Sequence, residues 1–193
     1  MKENYVYLNG EILPVSEATV NVYDIGILRG YGIYEGIKTY NNKPFFLKEH
    51  LDRFRSSAKA IHLKIPISDA EIAKAIDDLV VKNGFKETNI RMILTGGNTL
   101  NGIEYDYDKP TFYMLAEEST DVPDHFYTDG CKLITFDHQR QYPEYKTTNY
   151  ITGVNLQNLR KEKGALEILF VHDGKILECA TSNFFAFHRR RIS

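Results

Sequence analysis

Residues 68–84 carry both ends of a helix in their own sequence. Ser68 and Glu71 have the spacing of a capping box, in which the hydroxyl takes a backbone N–H of the first turn and the carboxylate reaches back to the cap. Ile72, Ile76, Leu79 and Val80 recur on one face, and Gly84 supplies a stop. Such a helix must bury its stripe against another element, and its neighbours offer strands. Residues 34–40 read as a strand that turns at Asn41-Asn42-Lys43 into Phe45-Phe46-Leu47. Over 49–61 the period becomes helical, with Leu51, Phe54, Ala58 and Ile61 aligned. Residues 88–95 are apolar enough for a central strand, 111–116 read as another, and 5–15 alternate about the Asn9-Gly10 hairpin signal. The pattern predicts an α+β fold.

The second half is less regular. Residues 117–130 are polar, acidic and interrupted by Pro123, which predicts a linker between a domain at 1–116 and a further piece at 131–193. That piece reads as a strand at 132–136, helical character over 148–163, a hairpin of 166–171 and 175–178 about Asp173-Gly174, and a last strand at 183–187.

Lys and Arg number 24 against 26 Asp and Glu in 193 residues, so neither nucleic acid nor an acidic membrane surface is an expected partner. No apolar run approaches the ~20 residues that cross a bilayer. The N-terminus lacks the apolar core of a secretory signal, and a cytoplasmic setting is expected. Cys131 and Cys179 read as buried, reduced thiols, and the six scattered histidines give no metal-ligand spacing, so no metal is expected.

The glycine cluster at 26–36 matches no phosphate-binding fingerprint, because a strand follows it and none precedes it. It reads as a turn permitting close backbone packing. Lys146 opens Lys146-Thr147-Thr148-Asn149-Tyr150, and Glu178 ends an apolar strand. Arg53 has the spacing of a helical ion pair with Glu49. Singly, each has an ordinary structural reading.

In this order, however, four segments resemble the fold-type IV pyridoxal-phosphate enzymes, the class IV aminotransferases. They are Asp24-x-Gly26 with Arg29-Gly30-Tyr31-Gly32-Ile33-Tyr34-Glu35; Glu49-His50-Leu51-Asp52-Arg53; Lys146-x-x-Asn149-Tyr150; and Glu178-x-x-x-Ser182-Asn183-Phe184-Phe185. The resemblance implies a small N-terminal α/β domain plus a larger cofactor-binding domain, of which this chain would hold only the first part. Family members continue for roughly a further third, and the Arg189-Arg190-Arg191 run is expected to be a truncation or frame-shift scar.

The resemblance implies pyridoxal 5′-phosphate as cofactor, with Lys146 as the Schiff-base lysine and Arg53 as a phosphate anchor. Glu178 would partner the pyridine nitrogen. Tyr150 would bond the cofactor's phenolic oxygen, at a spacing from Lys146 one residue shorter than the usual branched-chain pattern. Tyr34 and Arg91 would lie on the substrate side. Where D-amino-acid enzymes carry an arginine, this chain has Thr95-Gly96-Gly97, a departure from D-specificity. The implied activity moves an amino group from a hydrophobic, branched-chain-like amino acid to 2-oxoglutarate in a homodimer, with a neighbouring-subunit contribution through the loop around Gly102. The alternatives are a lyase of the aminodeoxychorismate type that releases pyruvate, and an inactive fragment keeping only the fold.

Overall fold

The computed structural model describes residues 3–188 and 191–192. They pack as two units, Met1–Thr120 with Glu144–Asn149, and Asp121–Pro143 with Tyr150–Ser193. The short segment carrying Lys146 thus packs with the first unit, although it follows the stretch read as a linker. That stretch itself holds the end of a strand and one helical turn.

In the first unit, β1 (Tyr5–Leu8) and β2 (Glu11–Pro14) form a hairpin, and α1 (Ile25–Arg29) is followed by β3 (Gly32–Tyr40) and β4 (Lys43–Pro44). The helices α2 (Leu47–Ala60) and α3 (Asp69–Asn83) precede β5 (Thr88–Thr95) and β6 (Thr111–Glu118). The six strands form one sheet in the order β2-β1-β6-β5-β3-β4. The local signals explain much of this. Asn9 and Gly10 both have positive φ, as a tight hairpin requires. The capping box at α3 is complete, with Glu71 N–H on Ser68 Oγ and Ser68 N–H on Glu71 Oε2.

Strand periodicity divides the sheet into two faces. On one, Ile33, Ile37, Ile90, Met92, Leu94, Phe112 and Met114 meet Leu51 and Phe54 of α2 and Ile72, Ile76 and Leu79 of α3 in a closed core. The other presents Tyr34, Gly36, Arg91 and Tyr113, mostly half-buried or exposed. The glycine cluster is a short helix ending at Gly30 and the first half of β3 rather than a bare turn. Asp24, itself buried, caps α1 by accepting the Gly26 N–H at 2.7 Å, and its other oxygen accepts from Thr95 Oγ1 at 2.9 Å. The expected close packing is present at Gly32, where a Cβ would lie 2.9 Å from the Leu94 carbonyl oxygen.

The second unit holds α4 (His125–Thr128), β7 (Leu133–Asp137), α5 (Ile151–Asn155), α6 (Gln157–Glu162), β8 (Glu167–His172), β9 (Lys175–Cys179), β10 (Phe187–His188) and β11 (Arg191–Ile192). Strands β7-β8-β9 form a sheet whose core is Leu156, Ile168, Phe170 and Ala180. The helix read over 148–163 is two short helices that start later, because Thr147 and Thr148 run extended along β3. The last strand read at 183–187 is displaced, since residues 183–186 take no regular form. Cys179 is buried as expected, but Cys131 is exposed, lying ahead of β7 rather than in it, and both thiols are free. Arg189 and Arg190 of the arginine run lie outside the described residues. No helix among the described residues is long and apolar enough to cross a membrane.

Candidate active site

Lys146 is placed by backbone pairing. The Tyr34 N–H donates to the Lys146 carbonyl and the Thr148 N–H to the Gly32 carbonyl, both at 2.9 Å, so residues 146–148 run antiparallel along the edge of β3. Ile33 faces Thr147 in this register, which puts Tyr34 opposite Lys146 on the same sheet face. The side chains meet there: Nζ donates to the Tyr34 hydroxyl at 3.0 Å and lies 4.4 Å from its ring centroid. The buried Ser57 of α2 accepts the Lys146 N–H at 3.3 Å.

One turn before Ser57 on α2 is Arg53, whose partner is Glu35 of β3 rather than Glu49. Arg53 Nε donates to Glu35 Oε2 at 2.7 Å and Nη2 to Oε1 at 2.6 Å, a bidentate fork. His50 Nδ1 lies 3.1 Å from Oε1, and the Gly36 N–H donates to it at 2.9 Å. Glu35 is fully buried, while the Arg53 side chain is half exposed. Burial would raise the Glu35 carboxyl, but the hydrogen bonds and charge of Arg53, with His50 and the Gly36 N–H, hold it at about 2. The fork occupies Nε and Nη2 of Arg53, and no hydrogen bond from Nη1 is formed among the described residues.

Arg91 shares the sheet face of Tyr34. It stands opposite Gly36, two residues along from the Tyr34–Ile93 pair, and its Nη2 pairs with Glu117 Oε2 at 3.0 Å. Thr95 and Gly97 are committed to the fold, Thr95 through Asp24 and Gly97 because a Cβ there would lie 2.1 Å from the Lys109 carbonyl oxygen.

In the second unit, Glu178 is held by Arg140. Arg140 Nε donates to Oε1 at 2.5 Å and Nη2 to Oε2 at 2.9 Å, while Nη2 also donates to the Pro143 carbonyl at 3.3 Å. The chain beyond Glu178 is clipped by Glu167. Its Oε2 accepts the Thr181 N–H at 3.1 Å, the Ser182 hydroxyl at 2.8 Å and the Thr181 hydroxyl, and its Oε1 accepts the Ile168 N–H at 2.8 Å. Burial pushes the Glu167 carboxyl up, yet these bonds leave it below the ordinary glutamate value. Tyr150 is half-buried at the start of α5, where its carbonyl accepts the Val154 N–H at 2.9 Å.

The fold therefore brings Lys146 and Tyr34 into contact, sets Arg53 one helical turn from the residue holding the Lys146 backbone, and puts Arg91 on the same face as Tyr34. Glu178 and Tyr150 belong to the other unit. Glu35, Arg140, Glu167 and Glu117 were not singled out from the sequence. Glu35 stood in view beside Tyr34, since a carboxylate between apolar strand residues must face a cation. The other three carry no local signal.

The α+β fold of this chain is shared with known proteins. The model of the amino-transferase class IV family matches residues 32–192, and the chain belongs to that family. It is 30% identical over 188 residues to a Methanocaldococcus jannaschii protein provisionally named a branched-chain-amino-acid aminotransferase, covering 93% of this chain and 64% of that one. It is also 30% identical over 183 residues to the D-alanine aminotransferase of Listeria monocytogenes, covering 92% and 63%. Among solved structures, the T.th. branched-chain amino acid aminotransferase with pyridoxamine 5′-phosphate superposes with a TM-score of 0.83 at 25% identity, covering all of this chain and 67% of that one. The chain thus spans just under two thirds of the length of these curated relatives.

Proposed function

We propose that this chain belongs to an enzyme that moves the amino group of a hydrophobic, branched-chain-like amino acid to 2-oxoglutarate with pyridoxal 5′-phosphate. The observation that carries the reading is Lys146, a primary amine fixed by strand pairing and hydrogen-bonded to a phenol. The residues of each unit suit the cofactor by their chemistry: in the first, an amine for its aldehyde and a guanidinium for its phosphate; in the second, a carboxylate for its ring nitrogen. When bound, the cofactor supplies an electron sink for charge developing at the substrate Cα.

Lys146 would hold the aldehyde and, once displaced by the substrate, move the Cα proton. Tyr34 keeps the ε-amine oriented through the bond it already accepts. Arg53 offers Nη1 to phosphate while Glu35 fixes the guanidinium plane. Each Glu178 oxygen accepts one Arg140 N–H and keeps a second lone pair, so the carboxylate can still take the ring N–H. Tyr150 would donate to the phenolic oxygen, and Arg91 would meet the substrate side chain.

Two subunits are proposed to pair through the exposed apolar residues Tyr23, Ile27, Leu28, Leu100 and Ile103. The near-neutral charge and free thiols support a cytoplasmic setting. A second reading, a D-amino-acid enzyme, is favoured by the equal identity to the L. monocytogenes D-alanine aminotransferase; the structural commitment of Thr95 and Gly97 weighs against it.

The test is to add pyridoxal phosphate to the purified chain, reduce with borohydride and look for a covalent adduct by mass spectrometry. Wild type should carry the adduct and Lys146→Ala should not. If neither does, the chain keeps the fold alone and the reading fails. Products then separate the chemistries: glutamate with a branched 2-oxo acid from the L- or the D-amino acid, or pyruvate from a lyase.

A further inference from the structure

The face of the first unit's sheet that bears Tyr34 carries its charges in an order that bears on which side chains can lie there. Its residues fall in cross-strand rows. The first row holds Lys146, Tyr34, Ile93 and Tyr113; the second holds Gly36, Arg91 and Leu115; the third holds Lys38, Asn89 and Glu117. Successive rows lie about 7 Å apart along the strands. Glu117 reaches back one row, so that its Oε2 lies 3.0 Å from Arg91 Nη2. Between the amine and this ion pair is Gly36, exposed, with no atom within 4 Å of where a Cβ would stand. The face therefore offers an open floor with an amine at one end and a neutralised arginine at the other.

We propose that Glu117 is a specificity-determining residue, the removable counter-ion of Arg91. Paired, the two charges cancel, and an apolar side chain can lie over Gly36 without stranding a bare cation beneath it. A dicarboxylic molecule brings its own carboxylate, which competes for the guanidinium while Glu117 turns to water. The pair suits such an exchange because both side chains are about half exposed, 53% and 50%, where an ion pair is held weakly. A buried pair would not open, and an unpaired arginine would favour dicarboxylic molecules throughout. The inference rests on the transamination reading for its purpose, since that reaction must admit an apolar and a dicarboxylic partner in turn.

The test needs no turnover. Calorimetry at low salt measures binding of glutarate and of 4-methylpentanoate to the full chain. Glu117→Gln should tighten glutarate about five-fold, the order expected for release of an exposed counter-ion, and leave 4-methylpentanoate within about two-fold. In the Arg91→Met background the same Glu117→Gln change should have no effect on either ligand. Thermal unfolding of each variant, expected to match wild type, separates selectivity from a general loosening. The proposal is overturned if Glu117→Gln shifts both ligands equally, if the glutarate preference does not rise, or if its rise persists without Arg91. A preference that rises while borohydride locks no adduct onto wild type supports the role of Glu117 and sinks the transamination reading alone.

Discussion

Glu35 is the residue on which the first unit's candidate site turns, because one buried carboxylate fixes Arg53, His50 and the Gly36 N–H together. Its folded pKa of about 2 lies below the ordinary 4.5. A carboxyl depressed in the folded state stabilises it above the unfolded value, and that contribution disappears as pH falls from about 4.5 through about 2. The full shift corresponds to about 3 kcal/mol, and the half-exposed Arg53 side chain reduces this to about 2. Glu35→Gln should therefore lower stability by about 2 kcal/mol at pH 7 and flatten the acid limb of the stability curve. Urea unfolding at pH 7 and pH 3 checks both: wild type should lose ground to the variant at the lower pH, and parallel curves would refute the ion pair's role.

Arg140 has the corresponding place beside Glu178. Arg140→Met leaves the carboxylate without its fork, and pyridoxal phosphate affinity should fall about ten-fold by equilibrium dialysis. Arg140→Lys should recover only part of it, since one ammonium cannot span both oxygens. Full recovery with lysine would mean that charge alone matters there.

At the scale of elements, α3 owes its start to the Ser68–Glu71 box. Ser68→Ala removes one side-chain acceptor from an orphan N–H and should cost about 1 kcal/mol, read as a lowered midpoint in thermal circular dichroism. This helix was legible in the sequence because both its signals are local, and the same holds for the Asn9-Gly10 and Asp173-Gly174 hairpins. The α1 helix was legible too, through Asp24 and Gly30, but the glycines around it drew a turn reading. The helical spacing over 148–163 misleads for a different reason. Thr148 lies just ahead of a helix that starts at Ile151, yet its N–H is taken by the Gly32 carbonyl, a partner far away in sequence. The site divides in the same way. Family motifs pointed to Lys146, Arg53 and Glu178, while their holders Glu35, Ser57 and Arg140 follow from pairing that no local spacing encodes.

At the scale of the whole molecule, the two units differ in how much they bury. The first closes α2 and α3 over a six-stranded sheet, with Ile72, Ile76, Leu79, Met92, Leu94, Phe112 and Met114 fully removed from water. The second rests on Leu156, Ile168, Phe170 and Ala180 beneath a three-stranded sheet, with Leu177 and Ile176 of β9 exposed. Each fully buried aliphatic side chain contributes about 1.5–3 kcal/mol, so the second core supports far less local stability. Hydrogen exchange should follow that difference. Amides of β5 and the middle of α3 should be protected to the level of global unfolding, whereas those of β7 and β9 should exchange through smaller openings. Adding pyridoxal phosphate should slow exchange around Glu178, because a ligand held by Glu178 and Tyr150 stabilises only states in which the second unit is folded. No slowing near Glu178 would argue that the second unit takes no part in holding the cofactor.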